Sequence, residues 1–249
     1  MQIRHTAPVL AATLLSLACL LLATSANAFT MYDTGVLGGD PESSLLGVTI
    51  TDADVGDSFN IDWTVANVVG SDDLSATGNF KILSFSTTEI VMQVSIANTT
   101  VLSSSLTNAD ILSIGFGVSP DAVAAFVSGE EGDTFDGVSE GNGPQQTYPG
   151  EFKGIDVCVY GDGCSGGAVA EGLHAGDSDV FQLKLAGTFG VDTDNLTADL
   201  LYFGAKFQTN VGSFEPGGSV PVPEPSAALV FGMGIAFAAT RVRRDDRLS

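Results

Sequence analysis

Apolar and polar residues alternate with a period of two through most of the region 29–215. In Ser58–Ala66, the residues Phe59, Ile61, Trp63 and Val65 alternate with Asn60, Asp62 and Thr64. In Glu89–Ala97, Ile90, Met92, Val94 and Ile96 share one face. The same spacing recurs in Leu112, Ile114, Phe116 and Val118, and in Ile155, Val157 and Val159. It appears again in Phe181, Leu183 and Leu185, and in Leu201, Phe203, Ala205 and Phe207. Such alternation predicts strands with one buried and one wet face. Gly-, Asp- and Asn-rich links separate them. Several short strands joined by such turns predict an all-β fold, an antiparallel β-sandwich of jelly-roll-like type.

Two segments break the pattern. Ser119 as N-cap, Pro120 as first helical residue, Asp121 near the N-terminus and Gly129 as C-terminal stop predict one short helix over Ala122–Ser128. The following stretch, Gly129–Gly150, is acidic, Gly-rich and without apolar period, and reads as a long mobile loop.

Charge divides the chain further. Over the 249 residues there are 30 acidic and 9 basic side chains, a net charge of −21. From Phe29 to Pro216 there are 27 acids and 4 lysines, about −23 in all, and no arginine. That balance argues against nucleic acid and anionic lipid as partners, because both need Lys/Arg patches. Both flanks are apolar with basic ends.

Residues 1–28 read as a secretory signal peptide. Arg4 supplies the positive start, Val9–Ala23 the apolar run, and Ala26 and Ala28 the small residues before cleavage at Phe29. The Sec translocon and signal peptidase are the implied partners. Cys19 as a lipoprotein cysteine fits less well, because Ser16 stands three residues before it and Cys19 lies mid-run.

At the other end, Val220-Pro221-Val222-Pro223-Glu224-Pro225-Ser226 precedes the apolar run Ala227–Thr240 and the basic Arg241-Val242-Arg243-Arg244. Alternating prolines forbid helix up to Glu224, and Pro225 suits a first helical position. Counted from Pro225, the apolar run of 16 residues covers roughly 24 Å as a helix, short of a ~30 Å hydrocarbon core. Bilayer thinning and arginine snorkelling can make up the difference. The arginines predict a cytoplasmic C-terminus and an external body.

This tripartite end resembles the PEP-CTERM sorting signal. The resemblance implies recognition of Pro223, Glu224 and Pro225 by an exosortase, a membrane cysteine transpeptidase-type enzyme. It further implies a hydrophobic stretch at Ala227–Thr240 and a basic end at Arg241, Arg243 and Arg244. Hosts of the family are exopolysaccharide-producing Gram-negative bacteria. The tail Asp245-Asp246-Arg247-Leu248-Ser249 runs past the arginines and departs from the pattern. The expected organisation is a signal peptide (1–28), an acidic β-sandwich (29–215), a linker (216–222) and a sorting segment (223–249) whose helix enters the inner membrane transiently.

Cys158 and Cys164 are the two cysteines of the expected mature chain. An oxidising location and the intervening Gly161-Asp162-Gly163 turn predict a disulfide between them. The same region loosely resembles the cysteine-bearing "cistern" subgroup of the PEP-CTERM family. Gly163-Cys164-Ser165-Gly166-Gly167 fits the G-x-S-x-G turn of hydrolases. His174 would be its base, with Asp177 or Asp179 as orienting acid. A glycine-rich turn with a surface histidine accounts for the same residues. Asp52, Asp54 and Asp57, Asp133 and Asp136, and Asp192, Asp194 and Asp199 form clusters that suit either solvated turns or a weak Ca²⁺ site. No EF-hand spacing is present, and no cofactor is otherwise called for.

The expected function is that of an exported, non-enzymatic cell-surface or matrix protein, with exopolysaccharide as a candidate contact. A calcium-assisted carbohydrate-binding module is the alternative. A secreted hydrolase using Ser165 and His174, or a carboxylate pair, is a second one.

Overall fold

The computed structural model describes residues 29–36, 44–140, 148, 152, 154–193 and 195–220. The signal peptide and the sorting segment lie outside them, and so does Asp194. No described helix is long and apolar enough to cross a membrane.

The described chain is built from strands. In order they are β1 (Thr30–Val36), β2 (Ser44–Thr51), β3 (Ser58–Val69), β4 (Asp72–Phe85), β5 (Glu89–Asn98), β6 (Ala109–Ser119), β7 (Ala122–Phe126), β8 (Gly137–Glu140), β9 (Val157–Tyr160), β10 (Ser178–Gly187), β11 (Thr197–Thr209) and β12 (Ser213–Phe214). Two 3₁₀ turns, Asp52–Asp54 and Val169–Glu171, are the helical elements among the described residues. The strands form two antiparallel sheets. One runs β1-β2-β11-β6-β9-β8, with β12 added on β11; the other runs β3-β4-β5-β10-β7.

Alternation of side chains explains the core. Phe59, Ile61 and Trp63 on β3 are buried, as are Ile90, Met92, Val94 and Ile96 on β5 and Phe181, Leu183 and Leu185 on β10. These side chains meet those of the other sheet in a phenylalanine cluster. Phe59 stacks on Phe80 at 5.2 Å between centroids, and Phe203 meets Phe80 edge-on at 5.3 Å. Phe116 joins Phe203 at 5.8 Å. Four strands of both sheets thus converge on one aromatic contact.

Sequence and structure part at the bulges. Tyr202 takes a left-handed φ of 60°, and the β11–β6 register shifts between Leu201 and Gly204. Ala198 and Leu200 therefore face the core before the bulge, and Phe203, Ala205 and Phe207 after it. Leu201, expected beside Phe203, is off the core face. A second shift makes Ile111 the core residue and turns Leu112 outward. Ile155, expected in a strand with Val157 and Val159, precedes β9 and joins a separate outer cluster.

The helix expected over Ala122–Ser128 is instead β7. Residues Ala122–Phe126 pair with Val123↔Ala186 and Ala125↔Lys184 on β10, and Ala122 and Ala124 are buried. Seven residues cannot stabilise a helix by local capping alone when a sheet edge offers a ladder. The stretch read as a mobile loop is also structured in its described parts. Asp179 on β10 accepts N–H bonds from Asp133, Thr134 and Phe135 at 2.7–3.0 Å, and Phe135 is fully buried. Tyr148 caps the outer face of β6, where its hydroxyl donates to the Ser113 carbonyl and its ring lies over Gly115.

Pro216–Ser219, expected as the start of a linker, closes the sandwich. Ala205 N–H donates to the Pro216 carbonyl and Gly218 N–H to the Phe203 carbonyl, on the first sheet. Ser219 then pairs with Asp62 of β3 on the second. Only glycine fits at 218, because a Cβ there would stand 2.5 Å from Ile61 Cγ2 and 2.9 Å from Phe203 Cβ. Replacing Gly218 with Val is therefore expected to cost roughly 1–3 kcal/mol by forced displacement. Urea denaturation of the variant against wild type measures it.

Candidate functional site

The residues that the sequence singled out do not gather into one site among the described residues. Cys158 lies on the outer face of β9 and forms a disulfide with Cys164, with Cα atoms 6.0 Å apart. The bridge closes the 158–164 turn, which Ser165 directly follows. That turn is tied to β6 and β11: Ser113 Oγ donates to the Cys164 carbonyl at 3.1 Å and Lys206 Nζ to the Ser165 carbonyl at 2.8 Å. Lys206 is itself buried, and it also pairs with the Glu215 carboxylate at 4.0 Å.

His174 follows an isolated bridge, Leu173 to Ile111. Its acid partner is Asp110 on β6, not Asp177 or Asp179. His174 Nδ1 lies 2.6 Å from Asp110 Oδ1. Asp179 holds the 133–135 turn, and Asp177 gives its N–H to the His174 carbonyl. No hydrogen bond joins Ser165 to His174 among the described residues. The imidazole is half exposed, at 57%, while Asp110 is buried. Behind them, Asn98 of β5 donates to the Ala109 and Leu173 carbonyls. The pair therefore sits where β5, β6 and the 173–177 turn are laced together. The hydrogen bond to Asp110 chiefly holds the His174 pKa above its ordinary value, with burial opposing.

The aspartate clusters are divided among local tasks. Asp54 Oδ2 accepts from the Thr51 N–H and hydroxyl, both at 2.7 Å, and so caps the first 3₁₀ turn. Asp52 is exposed and Asp57 half-buried. Asp192 is exposed, whereas Asp199 accepts from Thr49 Oγ1 at 2.6 Å. Asp133 and Asp136 sit on the turn that Asp179 organises. Among the described residues, no three His, Cys, Asp or Glu side chains are grouped to hold a metal.

One feature had no distinct sequence signal. The outer face of the β3-β4-β5-β10 sheet carries short polar side chains in cross-strand rows. Asn60 pairs with Asn79, Asn79 with Ser95, and Ser95 with Val180; the next row is Asp62, Thr77, Ala97 and Ser178. The Asn79 side-chain amide donates to Asn60 Oδ1 at 2.7 Å. These rows floor an open cavity of about 430 Å³. Partial burial pushes the Asp62 carboxyl above the usual carboxylate range. Period-two alternation located the wet face of β3, but only strand order could show which strands lie beside it. A second open cavity, of about 580 Å³, lies by the β3–β4 turn and Val101–Ser103.

Compared with known protein families, curated proteins and solved structures, the chain finds no match.

Two outcomes follow from this geometry. Because the His174 pKa is raised in the folded state, its stabilisation is complete below its unfolded value and is lost as pH rises through the folded value. The stability difference between wild type and His174→Ala, followed by urea denaturation, is expected to favour wild type at pH 5.5 and to shrink by pH 8.5. A constant difference would contradict the pairing. Asp179→Ala removes the side-chain acceptor of four backbone N–H groups, those of Asp133, Thr134, Phe135 and Val180, and is expected to cost about 3 kcal/mol. Thermal unfolding checks that loss.

Proposed function

We propose that this chain is an exported, non-catalytic cell-surface or matrix protein whose C-terminal segment is a sorting signal removed by an exosortase-type membrane enzyme. The ordered run of Pro223-Glu224-Pro225, an apolar stretch and Arg241, Arg243 and Arg244, behind an N-terminal signal peptide, carries the reading. One observation from the described residues supports it. The Cys158–Cys164 disulfide suits an oxidising compartment. The host would be a Gram-negative bacterium that makes exopolysaccharide, and the body would pass through the inner membrane to the cell surface.

The polar rows over β3, β4, β5 and β10 favour a second reading, carbohydrate contact. Hydroxyl and amide groups at Asn60, Thr77, Asn79, Ser95 and Ser178 offer donors and acceptors without a positive charge. A neutral polysaccharide fits that chemistry better than an anionic one, given the net charge of the chain. Calcium assistance through Asp52, Asp54, Asp57, Asp192 and Asp194 belongs to this reading and is tested by calorimetry with Ca²⁺ and glycan.

The primary reading is tested by replacing Pro223, Glu224 and Pro225 with alanine in a host that carries the enzyme. Wild-type protein is expected to mature to a mass lacking Arg241–Ser249, and the variant to keep them. Identical maturation of both would defeat the reading.

A further inference from the structure

Lys206 stands on the outer face of β11, between the core residues Ala205 and Phe207, and its cross-strand partner on β6 is Ser113. Both side chains hold the same stretch of backbone. Ser113 Oγ donates to the Cys164 carbonyl and Lys206 Nζ to the Ser165 carbonyl. A Cβ at Gly166 would lie 3.9 Å from Lys206 Nζ, so the backbone just past the disulfide roofs the ammonium. Under that roof the side chain of Lys206 is 10% exposed and that of Glu215 is 21% exposed. Glu215 directly precedes the closing segment, Pro216–Ser219. Lys206 therefore touches two separate pieces of chain, the roof through a neutral carbonyl and the closing segment through a carboxylate.

The roof has little packing of its own. None of residues 161–170 is buried. Its link to β9 is the bond from Cys164 to Cys158, which lies six residues back in sequence. Glycines at 161, 163, 166 and 167 make an unbridged turn costly to order. An ion pair shielded from water is strongly coupled, and removing either partner leaves the other charge buried and uncompensated. The same pair open to water contributes little.

We propose that Lys206 is the link through which the Cys158–Cys164 bridge fastens the closing segment. With the bridge formed, the roof keeps water from the Lys206–Glu215 pair and Pro216–Ser219 is held against both sheets. With the bridge reduced, the roof lifts, the pair is bared and the segment loosens while the sheets stay folded. Closure of the sandwich is thus completed only where cysteines oxidise.

Amide hydrogen exchange on the full-length chain in detergent tests this, before and after reduction by a dithiol. The bridge gains two electrons and two protons to give two thiols, and the dithiol becomes its cyclic disulfide. Gly218 and Ser219 N–H groups report on the closing segment, and Val94 of the central strand β5 reports on the sheets. Reduction of wild type is expected to speed exchange at Gly218 and Ser219 at least fivefold and to leave Val94 unchanged. In Lys206→Met, oxidised and reduced protein are expected to agree within twofold at both sites. Glu215→Met, which keeps Lys206 in place, is expected to show the same insensitivity. Unchanged exchange in wild type whose two thiols have been counted by alkylation overturns the proposal. So does an equal response in either variant, since the bridge would then act without the ion pair. Loss of protection at Val94 on reduction overturns it too, because the bridge would then hold the whole sandwich.

Discussion

The contact between Phe59 and Phe80 of one sheet and Phe116 and Phe203 of the other is what the remaining structure depends on. A fold with almost no helix has only its own sheets to cover one another. Large rings fill the ~10 Å between two such layers better than short aliphatics do. Phe203 reaches the cluster because the Tyr202 bulge reverses the facing of β11 there. The Phe203 carbonyl also receives Gly218 N–H at 2.6 Å and Trp63 Nε1 at 3.4 Å. One residue therefore joins the aromatic cluster, the bulge and the closing segment, so sheet packing and closure stand or fall together.

The acidic excess has a structural use within this frame. With four lysines in the body, ion pairing cannot neutralise the aspartates. Several accept backbone or hydroxyl hydrogen bonds instead. Asp54 caps a turn, Asp179 gathers the 133–135 backbone, Asp156 takes the Val118 N–H, and Asp110 holds His174. Each such bond satisfies a donor that the turn would otherwise leave unpaired. Burial pushes the Asp156 carboxyl above its usual range, against the opposing pull of the Val118 N–H bond.

Much of the sandwich was legible in the sequence, for a physical reason. β3, β5 and β10 each have one wet and one dry face, and period-two alternation reports that directly. The misreadings have causes as specific. β6 is buried on both faces, so its pattern does not distinguish Ile111 from Leu112 as the core residue. β4 has Ala76 and Gly78 among its core positions, which weakens the apolar alternation there, and it stood unmarked. β7 bears helix punctuation that its pairing with β10 overrides. The disulfide followed from spacing and an intervening turn. The acid partner of His174 did not, because Asp110 lies 64 residues away and meets it only through the Leu173–Ile111 bridge. The polar rows needed strand order, which alternation does not contain.

The account rests on a sandwich that is complete once Ser219 has reached β3. Equilibrium unfolding in one detergent of the full chain, of a chain ending at residue 220 and of one ending at residue 215 tests this most directly. The account predicts the same cooperative midpoint for the first two and a clearly lower one for the third. A chain ending at 220 that unfolds earlier than the full chain, or one ending at 215 that matches it, would contradict the account.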